Sequence, residues 1–333
     1  MLGARCKIPV LLVAILGISC LPAWSQEEAP PTGWQRTADL SLALSQTSYN
    51  DAWSGSEAGA ITWTFNGNLT AERMLGESLH WKNTLKLTFG QQHTQKRSGE
   101  ERRWLSPEKA SDRIFFETLM LGTFGWMVDP YAAVVLESQF YDPVLAEEAS
   151  AAGVPEGDLD QIDNLDRLFH PIQLTESIGL GRQFIDRENA ELLTRVGFAV
   201  RQQLSRSVSG LNDAGTELRY ESATVTDGGF EWVTDYSRTF GGGDLKYVTK
   251  LRVFQSLFNS ESDDLEALAE ELGEPDLADD WKTADLAWEN TFSAAVAQYI
   301  QVSLFAELLY DKQVDRRGRF REILALGVSY KLF

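Results

Sequence analysis

The sequence predicts an all-β protein: a transmembrane antiparallel up-and-down β-barrel of about 12 strands. Three observations carry this. Amphipathic segments with a two-residue period follow one another from residue 34 to the C-terminus. The gaps between them alternate between tight turns and long loops, which is how a membrane barrel sorts its connections and a sandwich does not. The apolar runs after residue 25 are only a few residues long, whereas a membrane-spanning helix needs about 20.

Residues 1–25 read as a secretory signal. Arg5 and Lys7 give the basic start, residues 8–18 the apolar stretch, and Ala23-Trp24-Ser25 the small-x-small cleavage site. A lipoprotein reading through Cys20 is weaker, because Gly17 stands where such a site wants leucine. Loss of the signal removes both cysteines, Cys6 and Cys20, so neither disulfides nor cysteine–metal sites are expected. It also removes two positive charges, moving the formal net charge from −19 to −21. Residues 26–33, with Pro30 and Pro31, read as a periplasmic lead-in, and residues 34–333 as the barrel. Such acidity argues against nucleic acid as a partner.

The first strand falls at 36–48. At 61–71, Ile61, Trp63, Phe65, Gly67, Leu69 and Ala71 share one face, while Thr62, Thr64, Asn66, Asn68 and Thr70 share the other. At 79–89, Leu79, Trp81, Leu85, Leu87 and Phe89 oppose His80, Lys82, Thr84, Lys86 and Thr88. Noisier segments follow at 113–127, 131–142, 171–185, 190–204, 228–240, 244–258 and 284–297. At 300–310, Val302, Leu304, Ala306 and Leu308 oppose Gln301, Ser303 and Glu307. The last segment, 324–332, sets Leu324, Leu326, Val328, Tyr330 and Leu332 against Ala325, Gly327, Ser329 and Lys331. Twelve is an even number, as a single-chain bacterial barrel requires if both termini are periplasmic, as expected here. Strands longer than the 9–11 residues that cross a bilayer predict a barrel that projects beyond it.

A soluble β-sandwich has the same alternation. Against it stand the many large apolar side chains and the mixed charges of the polar face. Those charges are Lys82, Lys86, Arg195, Arg201, Glu231, Asp235, Lys246, Lys250, Arg252 and Glu307, the candidate pore-lining set. Aromatic residues also gather at segment ends: Trp126 and Tyr131, Phe240 and Tyr247, Tyr299, Tyr141 and Tyr310. These are expected to form interfacial girdles. The terminal Phe333 is similar to the signature read by the outer-membrane assembly machinery, which is therefore an expected partner, together with outer-membrane lipid and lipopolysaccharide.

The N-terminal third resembles an uncharacterised family of Gram-negative outer-membrane barrels defined by a domain of unknown function. The resemblance rests on Gln46-Thr47-Ser48-Tyr49-Asn50-Asp51-Ala52-Trp53-Ser54-Gly55-Ser56-Glu57, on Trp81-Lys82-Asn83-Thr84-Leu85 with Phe89-Gly90, and on Lys109-Ala110-Ser111-Asp112. In the turn, Ala52 separates Asp51 from Trp53 and Ser56 replaces a second glycine. The resemblance implies a barrel and brings no activity with it.

Little in the chain points to catalysis, and no cofactor is expected. Of the three histidines, His80 faces inward without a serine context, His93 lies in a polar stretch, and His170 precedes Pro171. The acidic stretch 261–280 lacks any basic residue and carries Leu265, Leu268 and Leu272 at helical spacing, predicting a short loop helix. Asp263, Asp264, Asp279 and Asp280 are weak candidates for a divalent cation, against a solvated anionic surface. The expected function is a narrow pore or uptake channel for small solutes. The lysines of strands three and nine would form a positive stripe preferring anions. The alternative is a structural or surface-interaction barrel with a lumen closed by ion pairs. An outer-membrane hydrolase ranks third.

Overall fold

The computed structural model describes residues 33–47, 59–98, 101–144, 146–154, 162, 166–212 and 216–331. The signal at 1–25, the lead-in through residue 32, the turn motif at 48–57 and Phe333 lie outside the described residues.

Twelve strands build the wall. They are β1 (Gln35–Thr47), β2 (Ala60–Leu75), β3 (Leu79–Ser98), β4 (Glu108–Gly122), β5 (Asp129–Ser138) and β6 (Ile172–Arg187), then β7 (Ala190–Leu211), β8 (Leu218–Phe240), β9 (Leu245–Asn259), β10 (Asp285–Ala297), β11 (Ile300–Asp311) and β12 (Asp315–Lys331). Each pairs antiparallel with the next, and β1 also pairs with β12, from Asp39 opposite Lys331 to Ala43 opposite Gly327. The sheet is thereby closed and has no free edge.

The short connections, 76–78, 123–128, 188–189, 241–244 and 298–299, gather at one end. In the Gly241–Gly243 turn all three glycines have positive φ, between 61° and 117°, which side chains other than glycine rarely adopt. The other end carries the long connections, together with two short ones, 212–217 between β7 and β8 and 312–314 between β11 and β12. There β7 and β8 run 22 and 23 residues, about twice what a bilayer requires. Their hairpin continues through residues read from sequence as a 205–227 loop. It packs against the 139–171 connection, which holds α1 (Ala146–Ala151) and a small hairpin of Tyr141–Pro143 with Asp166–Leu168. Ala149, Val154, Ile162 and Leu218 form a separate small core there. The β9–β10 connection contains α2 (Ser262–Leu272), as the leucine spacing predicted, ending at Gly273 in the left-handed conformation (φ 69°).

The two faces of the wall differ. Outward residues are apolar and exposed, as at Ile178 and Leu180 on β6, Phe230 and Trp232 on β8, and Leu324, Leu326 and Val328 on β12, where Leu324 is 72% exposed. Aromatics ring the short-turn end. Trp34 packs on Trp81 at 5.0 Å with Arg73 over its ring, Phe124 on Trp126 at 5.0 Å, and Tyr299 stacks on Tyr330 at 6.3 Å. An apolar outer band with such a girdle is the surface of a transmembrane barrel.

Two expectations change. Tyr131 is no girdle residue. It points inward and is buried, because the adjacent glycines Gly179 and Gly197, paired across β6 and β7, leave room for its ring against the backbone. The last strand begins at Asp315, nine residues earlier than its alternation revealed.

Candidate functional site

The lumen is the place where chemically distinct side chains converge. All ten candidate lining residues, Lys82, Lys86, Arg195, Arg201, Glu231, Asp235, Lys246, Lys250, Arg252 and Glu307, lie on the inward face of their strands. Nine of them take part in ion pairs, while Lys246, near the Gly241–Gly243 turn, has no carboxylate partner among the described residues.

Toward the short-turn end one arc of the lumen wall carries a packed apolar cluster: Leu119 and Leu121 of β4, Tyr131 and Ala133 of β5, and Leu193 of β7. Next to this cluster, six cations and six carboxylates interlock. Arg195, only 2% exposed, donates from Nη2 to Glu117 Oε1 (2.8 Å) and to Asp235 Oδ2 (2.9 Å). Lys250 donates to Glu117 Oε2 at 2.6 Å and lies 3.3 Å from Asp235. Arg113 reaches Glu289 at 2.7 Å, Glu137 at 3.0 Å and Glu307 at 3.5 Å. Lys86 meets Glu289 at 3.2 Å, Arg252 meets Glu137 at 2.9 Å and Glu231 at 3.3 Å, and Arg321 meets Glu307 at 2.7 Å. Phe115, 1% exposed, is the pivot, with Lys86, Arg113 and Lys250 each within about 5.3 Å of its ring centroid.

The network spans the lumen. In a ring of twelve strands β10 stands diametrically opposite β4, and Arg113 of β4 touches Glu289 of β10. Lys250 of β9 crosses to Glu117 of β4, and Lys82 of β3 crosses to Glu191 of β7 at 3.4 Å. The charges also balance. The expected positive stripe is therefore corrected: Lys82, Lys86, Lys250 and Arg252 are each matched by a carboxylate, because acids line the lumen as well as the loops. Lower-lying His80 completes the pattern by pairing with Glu72 at 3.3 Å.

Toward the long-loop end, Arg201 bridges Asp227 (3.1 Å) and Asp285 (2.7 Å). A cavity of about 360 Å³ lies within the network itself, lined by Arg113, Glu137, Lys250, Arg252, Glu289 and Glu307 and reaching Arg319, Arg321 and Leu309.

A second polar cluster pins the 139–171 connection to the β7 hairpin. Arg167 donates to Asp142 and Glu148, each at 2.6 Å, and to the Arg206 carbonyl at 2.8 Å. Burial opposes the Arg167 charge, but Glu148 and Asp142 outweigh it and raise its pKa further. His170 has Nδ1 2.8 Å from Asp142 and accepts the Arg206 N–H at Nε2 (2.8 Å), so neither ring nitrogen is left for proton transfer. The proton on Nδ1 follows from that acceptor role. At the root of this connection Lys109 binds Gln139 and the Tyr141 carbonyl, and Asp112 accepts the Phe140 and Tyr141 N–H groups. His93 lies within β3 rather than in a loop.

The four weak metal candidates are not brought together. Asp263 and Asp264 sit in the first turn of α2, where they suit the helix dipole. Asp279 pairs with Lys282, while buried Asp280 is taken by Lys312 at 2.7 Å and Arg316 at 3.6 Å. Among the described residues no group of three histidine or acidic side chains could hold a metal ion.

Sequence reasoning missed Arg113, Glu117 and Glu137. Their strands carry apolar residues on the inward face too, which blurs the alternation. Only the shared phase of Arg113 and Glu117, four positions apart on β4, could have pointed to two of them.

The closed twelve-strand register and the apolar outer face define a transmembrane β-barrel. Within that class, residues 44–143 match the family model described as a protein of unknown function (DUF3078), in the region where the turn and third-strand motifs lie. No curated protein matches the chain. Solved structures similar to it include the β domain of the Bordetella autotransporter BrkA, at 10% identity, covering 90% of this chain and 97% of that one, TM-score 0.29. Pseudomonas putida OprB follows at 9% identity, 90% and 94% coverage and TM-score 0.27. Pseudomonas aeruginosa OccK7 (OpdD) has 9% identity, 90% and 99% coverage and TM-score 0.26. The barrel assignment rests on the closed strand register and not on these likenesses.

Proposed function

We propose that this chain is a bacterial outer-membrane barrel whose lumen is sealed at its middle, and that it works as a structural or surface-interaction barrel through its long-loop end. The observation that carries this is the cross-lumen bridge of Arg113 to Glu289 on the opposite strand, within a network whose charges balance. A hydrated pore keeps its lining charges apart, whereas here they are spent on one another and an apolar cluster backs them. The short turns would face the periplasm and the long connections the exterior, with lipopolysaccharide against the apolar belt and the C-terminal strand read by the assembly machinery. No catalytic role is proposed, since His170 has both nitrogens engaged and His80 pairs with Glu72.

A second reading, the narrow pore or uptake channel for small solutes, draws support from the cavity of about 360 Å³ within the network. It requires the ion pairs to separate. Single-channel recording of the refolded protein in planar bilayers decides: the sealed barrel gives no steady conductance, and reproducible open steps would replace it with the pore.

A further inference from the structure

The cavity within the ion-pair network forms a vestibule, and its wall carries a charge that the network does not pair. On β12 the residues Arg317, Arg319 and Arg321 alternate onto the inward face. Arg317 is held by Asp315 at 3.2 Å and Arg321 by Glu307 at 2.7 Å. Arg319 is exposed on that wall and makes no ion pair among the described residues, and its strand partner is Leu309. The six cations of the network already have six carboxylates. Arg319 is thus a guanidinium without an ion pair among the described residues, its charge felt by Asp315, at the edge of a cavity, beside a second guanidinium and next to the apolar Leu309 and Ala287.

We propose that this vestibule binds a small organic anion: an acid group held by Arg319 and Arg321, with an apolar body against Leu309 and Ala287. A guanidinium presents a fork of N–H donors that fits a carboxylate, and Arg321 keeps donors beyond the one given to Glu307. The volume, about 360 Å³, lies at the lower end of the range for small-molecule sites. Glu289 and Glu307 also line the cavity. Both are already neutralised by Arg113, Lys86 and Arg321, so they do not repel the ligand as bare carboxylates would. The inference rests on the sealed-lumen reading only in treating the cavity as closed.

The test is calorimetric titration of the full-length refolded barrel in uncharged detergent, with benzoate as the probe, and benzylammonium and inorganic phosphate as controls. Saturable one-to-one benzoate binding is expected, with none for benzylammonium and weaker binding for phosphate. Arg319→Gln should weaken benzoate by about tenfold, the loss of one charge-assisted contact, while its thermal unfolding stays that of the wild type. Absence of saturable benzoate binding, equal binding by Arg319→Gln, or equal binding of benzylammonium would each overturn the site. Phosphate as tight as benzoate would overturn the apolar half of the proposal. Conductance of the wild type, by contrast, would sink the seal and leave the anion site standing as a subsite within a pore.

Discussion

Removing Glu289 should destabilise the barrel far more than its single position in the wall implies. Its carboxylate is 12% exposed and lies 2.7 Å from Arg113 and 3.2 Å from Lys86. At an effective dielectric near 20 a pair at that closer distance attracts by about 6 kcal/mol. Desolvation of both groups offsets much of this, so breaking the pair by removing one partner costs about 3 kcal/mol. Arg113 retains Glu137 and Glu307, which argues for a figure no higher than that, whereas Lys86 loses the only carboxylate it meets among the described residues. In Arg113→Ala each stranded carboxylate retains one cation: Lys86 for Glu289, Arg252 for Glu137 and Arg321 for Glu307. The double change removes both ends of the bridge together, so its cost should fall short of the sum of the single costs by about 1–2 kcal/mol. The assay is urea unfolding of the protein refolded into lipid vesicles, followed through its 10 tryptophans. Additivity within about 0.5 kcal/mol would mean that the two groups do not meet across the lumen, and the sealed barrel would lose its main support.

Phe65 faces outward between Leu42 and Phe89, and Asn66 faces inward toward Thr88; Phe65→Arg should therefore cost about 2–4 kcal/mol of stability in lipid, while Asn66→Arg is tolerated, and equal losses would invert the faces. Protease added to intact cells should cut within the 260–284 connection and spare the Gly241–Gly243 turn until the outer membrane is permeabilised; cleavage of that turn in intact cells refutes the orientation. A Cβ at Gly197 would run into the Ile178 carbonyl and the Tyr131 hydroxyl, so Gly197→Ala should cost about 1–3 kcal/mol. Pairing it with Tyr131→Ala should recover part of that loss in a melting experiment, and no recovery would show that the ring does not fill this gap.

What could be read from the chain followed the solvent on each side of the wall. Strands with lipid outside and polar groups inside, such as β2, β3 and β11, showed themselves as two-residue alternation. Where the lumen itself is apolar the contrast vanished: on β4, Phe115, Leu119 and Leu121 point inward while Ile114, Phe116 and Met120 point outward. Beyond the bilayer both faces are wet, so the outer halves of β7, β8 and β12 carry polar residues on each side and looked like loops. Lining residues could be recognised because alternation gives direction. Their pairing could not, since the partner of Arg113 lies six strands away and nothing local records which opposing carboxylate it will meet.

The seam between the chain's two ends gives these interior bridges a further role. Among the described residues β1 and β12 are joined by five facing positions, Asp39 to Ala43, whereas β1 and β2 share thirteen. The wall therefore resembles a rolled mat with one lightly stitched hem, and thermal opening should begin along that line. In an empty tube such a tear would let the mat unroll. Here Arg113 and Lys250 tie β4 to β10 and β9 to β4 through the centre, so a parted hem leaves the rest of the roll strapped in place and free to close again.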